Sequence, residues 1–440
     1  MSRFNAINEK IGHYRWVICA LLFFATTINY LDRAIIGLLK ENLTEIFHWT
    51  ESDYSNIVIS FQMAYAVSLL FAGWVMDRIG TRLGYGFSLF MWSVAAILHG
   101  FVRGTGGFVA VRALLGVGES GNFPAANKTV AEWFPKKERA LATGIYNSGS
   151  NIGAIVAPLL VPWIAINWGW QWAFVATGAI GFVWIVFWWM CYDSPDRHKK
   201  LTKPERRYIN SDVDGQIETV DVNAGEKVSW GRLLCYRQTW AFVVGKFFSD
   251  PVWWFFLFWL PAFLKSEYKL EGMQISMPLI VVYIISAIGS VFGGWLPKRL
   301  IDRGHDASYA RKVSMFIYAL LPLFVLFAQS LGRIDMWLAI IVIALACAAH
   351  CAWMANLFAT VSDMFPMKAV ASVTGIGGMA GSMGGILMAW AAGILFDHYK
   401  LMNSIHIGYG IMFIFCALSY LMAWLVMHVL VPKYGKIEKL

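Results

Sequence analysis

Twelve stretches of twenty or more mostly apolar residues run along this chain, at about 14–39, 54–77, 82–102, 106–133, 140–165, 170–192, 238–264, 273–297, 310–331, 334–362, 370–396 and 404–431. A hydrocarbon layer about 30 Å thick needs about 20 such residues per crossing helix. Backbone in lipid must satisfy its own hydrogen bonds, which for runs of this length means helices. The expectation is an all-α membrane protein with twelve transmembrane helices. Composition agrees, with 58% of residues hydrophobic and 14% charged, against about 25% charged in soluble domains. That balance excludes an ordinary soluble enzyme, a disordered chain and a disulfide-built secreted domain. The first run, from Trp16, is too long for the core of a cleaved signal.

The only long polar stretch, Asp193 to Arg237, separates six apolar runs from six. Five segments follow: a tail at 1–13, a six-helix bundle at 14–192, a central loop at 193–237, a second six-helix bundle at 238–431 and a tail at 432–440. With both termini cytoplasmic, 26 Lys and Arg fall on the cytoplasmic side. Six fall on the other: Lys40, Arg103, Lys265, Lys269, Arg333 and Lys400. This is the bias that orients membrane proteins. It accounts for the net charge of +9 and removes the case for a nucleic-acid partner. The lipid bilayer is the expected partner, and a monomer the expected unit.

The halves echo each other. Glu132-Trp133-Phe134-Pro135 recurs as Asp363-Met364-Phe365-Pro366, and Thr143-Gly144 as Thr374-Gly375, at an offset of 231 residues. Gly73-Trp74 is echoed by Gly294-Trp295, and Asp77-Arg78 more loosely by Asp302-Arg303. Parallel six-plus-six repeats with a site between the halves are a transporter plan.

No metal and no cofactor are expected. The six cysteines, Cys19, Cys191, Cys235, Cys347, Cys351 and Cys416, show no CxxC spacing, and His350 with Cys347 and Cys351 lacks a fourth ligand. The tract Gly375 to Gly385 has no GK[ST] ending, so it is not a phosphate loop; small residues there suit close helix contact. With no nucleophile–base pair, an enzyme is not expected.

The segment Gly73-Trp74-Val75-Met76-Asp77-Arg78-Ile79-Gly80-Thr81-Arg82 resembles the signature between the second and third helices of the major facilitator superfamily. Asn29-Tyr30-Leu31-Asp32-Arg33, GVGESGNFPAANK and AEWFPKKERALATG between Arg112 and Gly144, DPVWWFFLFWLP at 250–261, and VSDMFPMKAVASVTGIGGMAGSMGG at 361–385 narrow the resemblance. Together they are similar to the anion:cation symporter family and, within it, to bacterial sugar-acid carriers of the hexuronate type. The resemblance implies the major facilitator fold and proton-coupled uptake of a sugar-acid anion across the bacterial inner membrane. Hexuronates are favoured over galactonate or glucarate-like diacids.

Ionisable residues at bilayer depth are costly and tend to face a partner or a water-filled cavity. Asp32 and Arg33 adjoin, so their directions diverge by about 100°. One reading gives Arg33 to a substrate carboxylate through its planar fork and Asp32 to a proton; the other is a static ion pair. Arg112 and Glu119, seven apart, share one helix face about 10 Å apart. Burial favours the neutral carboxyl and a nearby guanidinium the charged one, so Glu119 is the leading proton carrier. The alternative is a packing residue satisfied by Arg112. The repeat offset carries Glu119 onto His350, either a relay member or a hydrogen-bonded structural histidine.

Lys246 and Asp250, at i and i+4 before Pro251, are either contacts for the far end of a sugar acid or simply a pair with each other. The roles of Asp250 and His350 stay open at this level. Resemblance singles out Tyr30, Tyr65, Asn147, Ser150, Trp353, Asn356 and Ser382 as polar and aromatic contacts for the sugar. Asp77, Arg78 and Arg82 read as a cytoplasmic gate, Asp77 pairing across the bundle. The alternatives to a sugar-acid importer are an organic-anion exporter and a non-transporting sensor or scaffold.

Overall fold

A computed structural model describes residues 12–210, 230–435 and 437. Most of the expected N-terminal tail and parts of the central loop and of the C-terminal tail lie outside the described residues. Among the described residues every regular element is helical. The first half comprises α1 (Tyr14–Leu38), α2 (Lys40–Phe47), α3 (Glu51–Ile79), α4 (Thr81–His99), α5 (Thr105–Glu119), α6 (Asn122–Trp133), α7 (Lys136–Trp168) and α8 (Trp170–Cys191). Two short helices, α9 (Lys203–Ile209) and α10 (Trp230–Leu233), belong to the connection. The second half holds α11 (Arg237–Tyr268), α12 (Ser276–Asp302), α13 (Ala307–Leu320), α14 (Ala328–Gly332), α15 (Met336–Met364), α16 (Met367–Leu401) and α17 (Ile405–Leu430).

Among the described residues, ten helical segments are long and apolar enough to cross a membrane. The third and fourth expected segments are not among them. The fourth is broken at Ser120-Gly121 into α5 and α6, of 15 and 12 residues. Outer faces carry Phe24, Phe87, Val186, Phe292, Trp390 and Leu425, each more than half exposed. Apolar exposure on that scale belongs against lipid.

Lipid gives no hydrophobic drive between helices, so close contact has to come from small residues. On α12, Gly289 and Gly293 meet Ala348 and Ala352 of α15; a Cβ on Gly293 would lie 2.6 Å from the Ala352 Cα. On α7, Gly153 plays the same part toward Thr27, Tyr30 and Leu31 of α1. Helices before the connection contact mostly one another, as do those after it. The halves meet chiefly through α1 with α11, α3 with α16, and α7 with α12 and the turn at Gly272–Ile275 before it.

Both described chain ends lie on one side. Arg15 at the start of α1 reaches Glu138 at the start of α7, and the Ile437 N–H bonds the Met364 carbonyl at the end of α15. The start of α3 meets the end of α16 on the opposite side, termed here the far end. A polar cluster seals the seam there. Asp397 of α16 accepts the backbone N–H groups of Glu51 and Ser52 at 2.7 and 2.9 Å, and the Ser52 hydroxyl as well. Lys40 pairs with Glu51 at 2.7 Å, and Lys400 reaches Glu51 from the other half at 3.4 Å. Burial pushes the Lys40 ammonium down, but the Glu51 carboxylate outweighs it and holds the group above its usual value.

Deeper along the far end, Tyr54 donates to the Phe258 carbonyl at 2.9 Å and Ser55 donates to the Ala389 carbonyl. On the other seam Ser276 donates to the Pro158 carbonyl. Toward the terminus end the contacts thin out. A Cβ on Gly378 of α16 would meet only Leu69 of α3, at 3.8 Å, and one on Gly73, Gly144, Gly294 or Gly375 would meet nothing within 4 Å. The halves therefore form a V, closed at the far end and open toward the termini.

Candidate functional site

Where the V closes, the buried charges converge. Arg33, 2% exposed, donates from Nε to Glu119 Oε2 at 2.5 Å, bridging α1 and α5. Its Nη2 has no hydrogen-bond partner. Four rings surround the guanidinium: Tyr65 at 4.7 Å, Tyr30 at 5.1 Å, Phe61 at 5.4 Å and Trp254 at 5.7 Å from Cζ. Trp254 belongs to α11, so the cation is held by rings from both halves.

Close approach of α5 to α3 builds this ring wall. A Cβ on Gly116 would sit 2.5 Å from the Phe61 carbonyl oxygen and 3.1 Å from the Tyr65 nitrogen. Only glycine lets the two backbones come so near, and this brings Phe61 and Tyr65 onto Arg33. Phe61 also covers Arg112, its ring 4.9 Å from Cζ.

Two alternatives weighed from the sequence do not hold among these charges. Asp32 and Arg33 form no ion pair: Arg33 goes to Glu119. Glu119 is satisfied by Arg33 and not by Arg112, which lies two helical turns away and donates at 3.4 Å to the Arg33 carbonyl. Both Asp32 oxygens are buried without a hydrogen-bond partner; nearby Thr177 spends its proton on the Phe174 carbonyl. Two carboxyls and two guanidiniums thus share one buried region, with a single direct ion pair among them.

In the second half, Lys246 pairs with Asp250 at 2.7 Å, and its ammonium lies 5.2 Å from the Phe358 ring. His350 shares a 2.8 Å hydrogen bond with the Tyr420 hydroxyl and stacks on Trp253 at 5.2 Å and 14°. His350 is therefore held by protein partners on two sides, as a structural histidine would be. Trp353 is fully buried, edge-on to Tyr420 at 5.5 Å. Asn356 gives its amide to the Gly293 and Ala352 carbonyls at 2.7 and 2.9 Å, tying α15 to α12, while its Oδ1 has no hydrogen-bond partner.

Ser150 donates to the Asn147 carbonyl at 2.7 Å within α7, leaving the Asn147 side chain exposed. Ser382 is buried on α16 beside Gly381, which abuts the Asp250 carboxylate. Arg82 bonds Asp193 at 3.1 Å and the Trp189 carbonyl at 3.0 Å, all within the first half. The Asp77 side chain lies outside the description, so its expected pairing has no geometry here.

Sequence reasoning missed Phe61, Trp254 and the far-end cluster. For Trp254 a signal existed: the 221-residue offset that carries Gly73 to Gly294 carries Arg33 to Trp254. It also missed the anchorage of the connection at the terminus end. Arg15 pairs with Glu138 at 2.8 Å and with the buried Glu205 of α9 at 3.2 Å, while Tyr208 donates to Glu138 at 2.7 Å.

Residues 22–387 match the family model described as Major Facilitator Superfamily. The chain is 32% identical over 395 residues to a hexuronate transporter of Escherichia coli (strain K12), covering 88% of this chain and 89% of that protein. It is 30% identical over 402 residues to a D-galactonate transporter of Escherichia coli O6:H1, covering 89% and 91%. Among solved structures it superposes on a bacterial homolog of the human lysosomal transporter Spinster, in an inward-facing and occupied conformation, with a TM-score of 0.74 at 17% identity over 96% of this chain and 97% of that one. A D-xylose–proton symporter gives a TM-score of 0.73 at 16% identity, covering 96% and 99%.

Proposed function

Because the chain belongs to the Major Facilitator Superfamily, a family of transporters and not enzymes, we propose that it imports a sugar-acid anion, a hexuronate such as glucuronate or galacturonate, together with protons. In this reading twelve helices cross the bacterial inner membrane as bundles 14–192 and 238–431. The termini and the open mouth of the V face the cytoplasm. The 26-to-six distribution of Lys and Arg supports that orientation. The hexuronate transporter at 32% identity supports the substrate class. The D-galactonate relative at 30% identity keeps an aldonate as the second reading.

The half-filled fork of Arg33 carries the proposal. A carboxylate binds guanidinium best across two N–H groups at once. Glu119 holds only Nε, and Nη2 on the same edge is vacant of partners. A substrate carboxylate taking both positions displaces Glu119, and a displaced carboxylate buried beside Phe61 and Tyr65 needs a proton. Anion and proton then favour one another's binding, which is the coupling a symporter requires. Asp32, buried without a cation of its own, is the second proton site, and Arg112 keeps the region electropositive for the anion.

Tyr30, Tyr65 and Trp254 offer ring faces and hydroxyls to the sugar. Lys246 becomes available to the substrate's distal end when it leaves Asp250. Asn147, Ser150, Trp353, Asn356 and Ser382 complete the candidate contacts. Of these, Asn147 is the freest to turn toward a ligand. Asp77, Arg78 and Arg82 are assigned to closing the cytoplasmic mouth.

Glu119→Gln tests the coupling. In proteoliposomes with an imposed pH gradient, the variant is expected to lose uphill accumulation of hexuronate while retaining counterflow exchange. Normal accumulation by the variant overturns the role of Glu119. Absence of hexuronate flux in the unaltered protein overturns the substrate class.

A further inference from the structure

The seam between α3 and α16 hides one polar side chain that nothing above uses. Gln62 of α3 is 2% exposed, and neither its Oε1 nor its Nε2 makes a hydrogen bond. A primary amide carries two donors and two acceptor lone pairs, and burying all of them unpaired is unfavourable. Such a group belongs to a state in which it is paired.

Its neighbours show which state. Gln62 lies between Phe61 and Tyr65, the two rings α3 places on Arg33. Directly across the seam is Gly385 of α16: a Cβ built there would lie 3.1 Å from Nε2, 3.2 Å from Oε1 and 3.0 Å from Cδ1 of Trp254. The amide is therefore pressed flat against a bare stretch of the opposite half, at the edge of the Trp254 ring. On its far side the seam is sealed by Ser55 and Ala389. On its near side the packing is looser: a Cβ built on Gly378 would meet only Leu69, at 3.8 Å. Gln62 marks the apex of the V.

We propose that the Gln62 amide is a specificity contact for a hydroxyl group of the transported anion, made when the α3–α16 seam parts at the far end and hidden when that end is shut. This rests on the sugar-acid reading above. Parting the seam withdraws Gly385 and leaves the amide facing a space bounded by Arg33 and Trp254. A carboxylate on Arg33 then sets a neighbouring hydroxyl within reach, and the amide serves it as donor, acceptor or both. The bare glycine is what permits a clash-free return to the closed state, with no protein group competing for the amide.

The test uses the full-length protein in right-side-out proteoliposomes, with a hexuronate and its monodeoxy analogues as probes. Q62L keeps side-chain size and removes hydrogen bonding. It is expected to raise KM for hexuronate about tenfold, the scale of one lost hydrogen bond, with little change in kcat. It should also abolish the preference over one particular deoxy analogue, leave the other preferences intact, and leave thermal stability unchanged or higher. An unchanged KM with unchanged preferences overturns the proposal. Should Q62L fail to fold, Q62N retains amide chemistry but retracts it by one methylene: the same selective loss supports the contact, and a wild-type profile overturns it. If the unaltered protein moves no sugar acid, the functional reading itself has failed. If it does and Q62L discriminates like it, only the Gln62 assignment falls.

Discussion

Removing the Asp397 carboxylate should open the far end. Asp397 takes two backbone N–H groups at the start of α3, at 2.7 and 2.9 Å, plus the Ser52 hydroxyl. It does so from the other half of the molecule. The helix needs no such help: Thr50 and Asp53 already form a capping box at its N-terminus. The contribution of Asp397 therefore exists only while the seam is shut, and Asp397→Ala subtracts it from that state alone. Losing an N-terminal cap costs about 0.5–2 kcal/mol, and the charge favours the upper part of that range. Asp397 is partly buried, so a value of about 1–2 kcal/mol is expected, a shift of about 5–30-fold in the balance between closed and open far ends.

The assay is alkylation of Ser55→Cys by a membrane-impermeant maleimide added from the side of the far end. Ser55 is 2% exposed on the closed seam. With S55C in both backgrounds, the D397A protein should react about 5–30 times faster. Lys400→Ala removes only a 3.4 Å contact from a half-exposed lysine and should accelerate labelling far less. Equal rates with and without Asp397, in protein of unchanged melting temperature, would refute the idea that this cap holds the far end shut.

Two further outcomes follow from the geometry. Burial holds the imidazole of His198, in the connection after α8, below its ordinary value, against the opposing effect of its bond to the Cys191 carbonyl. Docking thus favours the neutral ring. That stabilisation is complete above the ordinary value of about 6.5 and is lost as pH falls through the lowered one. Proteolysis of segment 193–210 should accelerate as pH drops below about 6.5, and His198→Gln should flatten the response. Gly116→Ala forces a methyl onto the Phe61 carbonyl and should cost about 1–3 kcal/mol together with substrate affinity. Gly294→Ala, with open space around it, should leave the melting temperature unchanged or raise it; a melting loss equal to that of G116A would contradict the open mouth.

Much of this was legible in the sequence because lipid makes charge placement expensive. The all-helical architecture with many apolar helices and the small set of charges within them both follow from that one constraint. Arg33, Glu119, Arg112 and Asp32 were found because they are charged where charge is rare. Their pairing was not legible. The spacing of Arg112 and Glu119 allowed, as the alternative to a proton-carrying role, that they satisfy each other; partner choice depends on which helices approach, and Gly116 brings α5 against α3 beside α1. Phe61 and Gln62 were invisible for another reason: in a chain with 16% aromatic residues, one more ring or amide in an apolar run carries no signal until its neighbours are known. Asn356 shows the converse, since a polar residue in a suitable helix turned out to bind α12.

One helix carries both seal and site. Glu51, Ser52 and Ser55 of α3 close the far end against α16, while Phe61 and Tyr65 of the same helix face Arg33. From Ser52 to Phe61 is about 14 Å of helix, too short and too regular to bend without a Pro or a bulge; the stretch holds neither. Swinging the start of α3 away from Asp397 must then shift Phe61 and Tyr65 relative to Trp254, which rides on the other half. The ring cage around Arg33 is complete only when the far end is shut. An anion that displaces Glu119 and strengthens that cage favours the closed far end, and one that disrupts it favours the open one. Asp397→Ala therefore reaches beyond the gate: by loosening the seam it should weaken the hold of Tyr65 and Trp254 on the same cation, through a rod that contains no hinge.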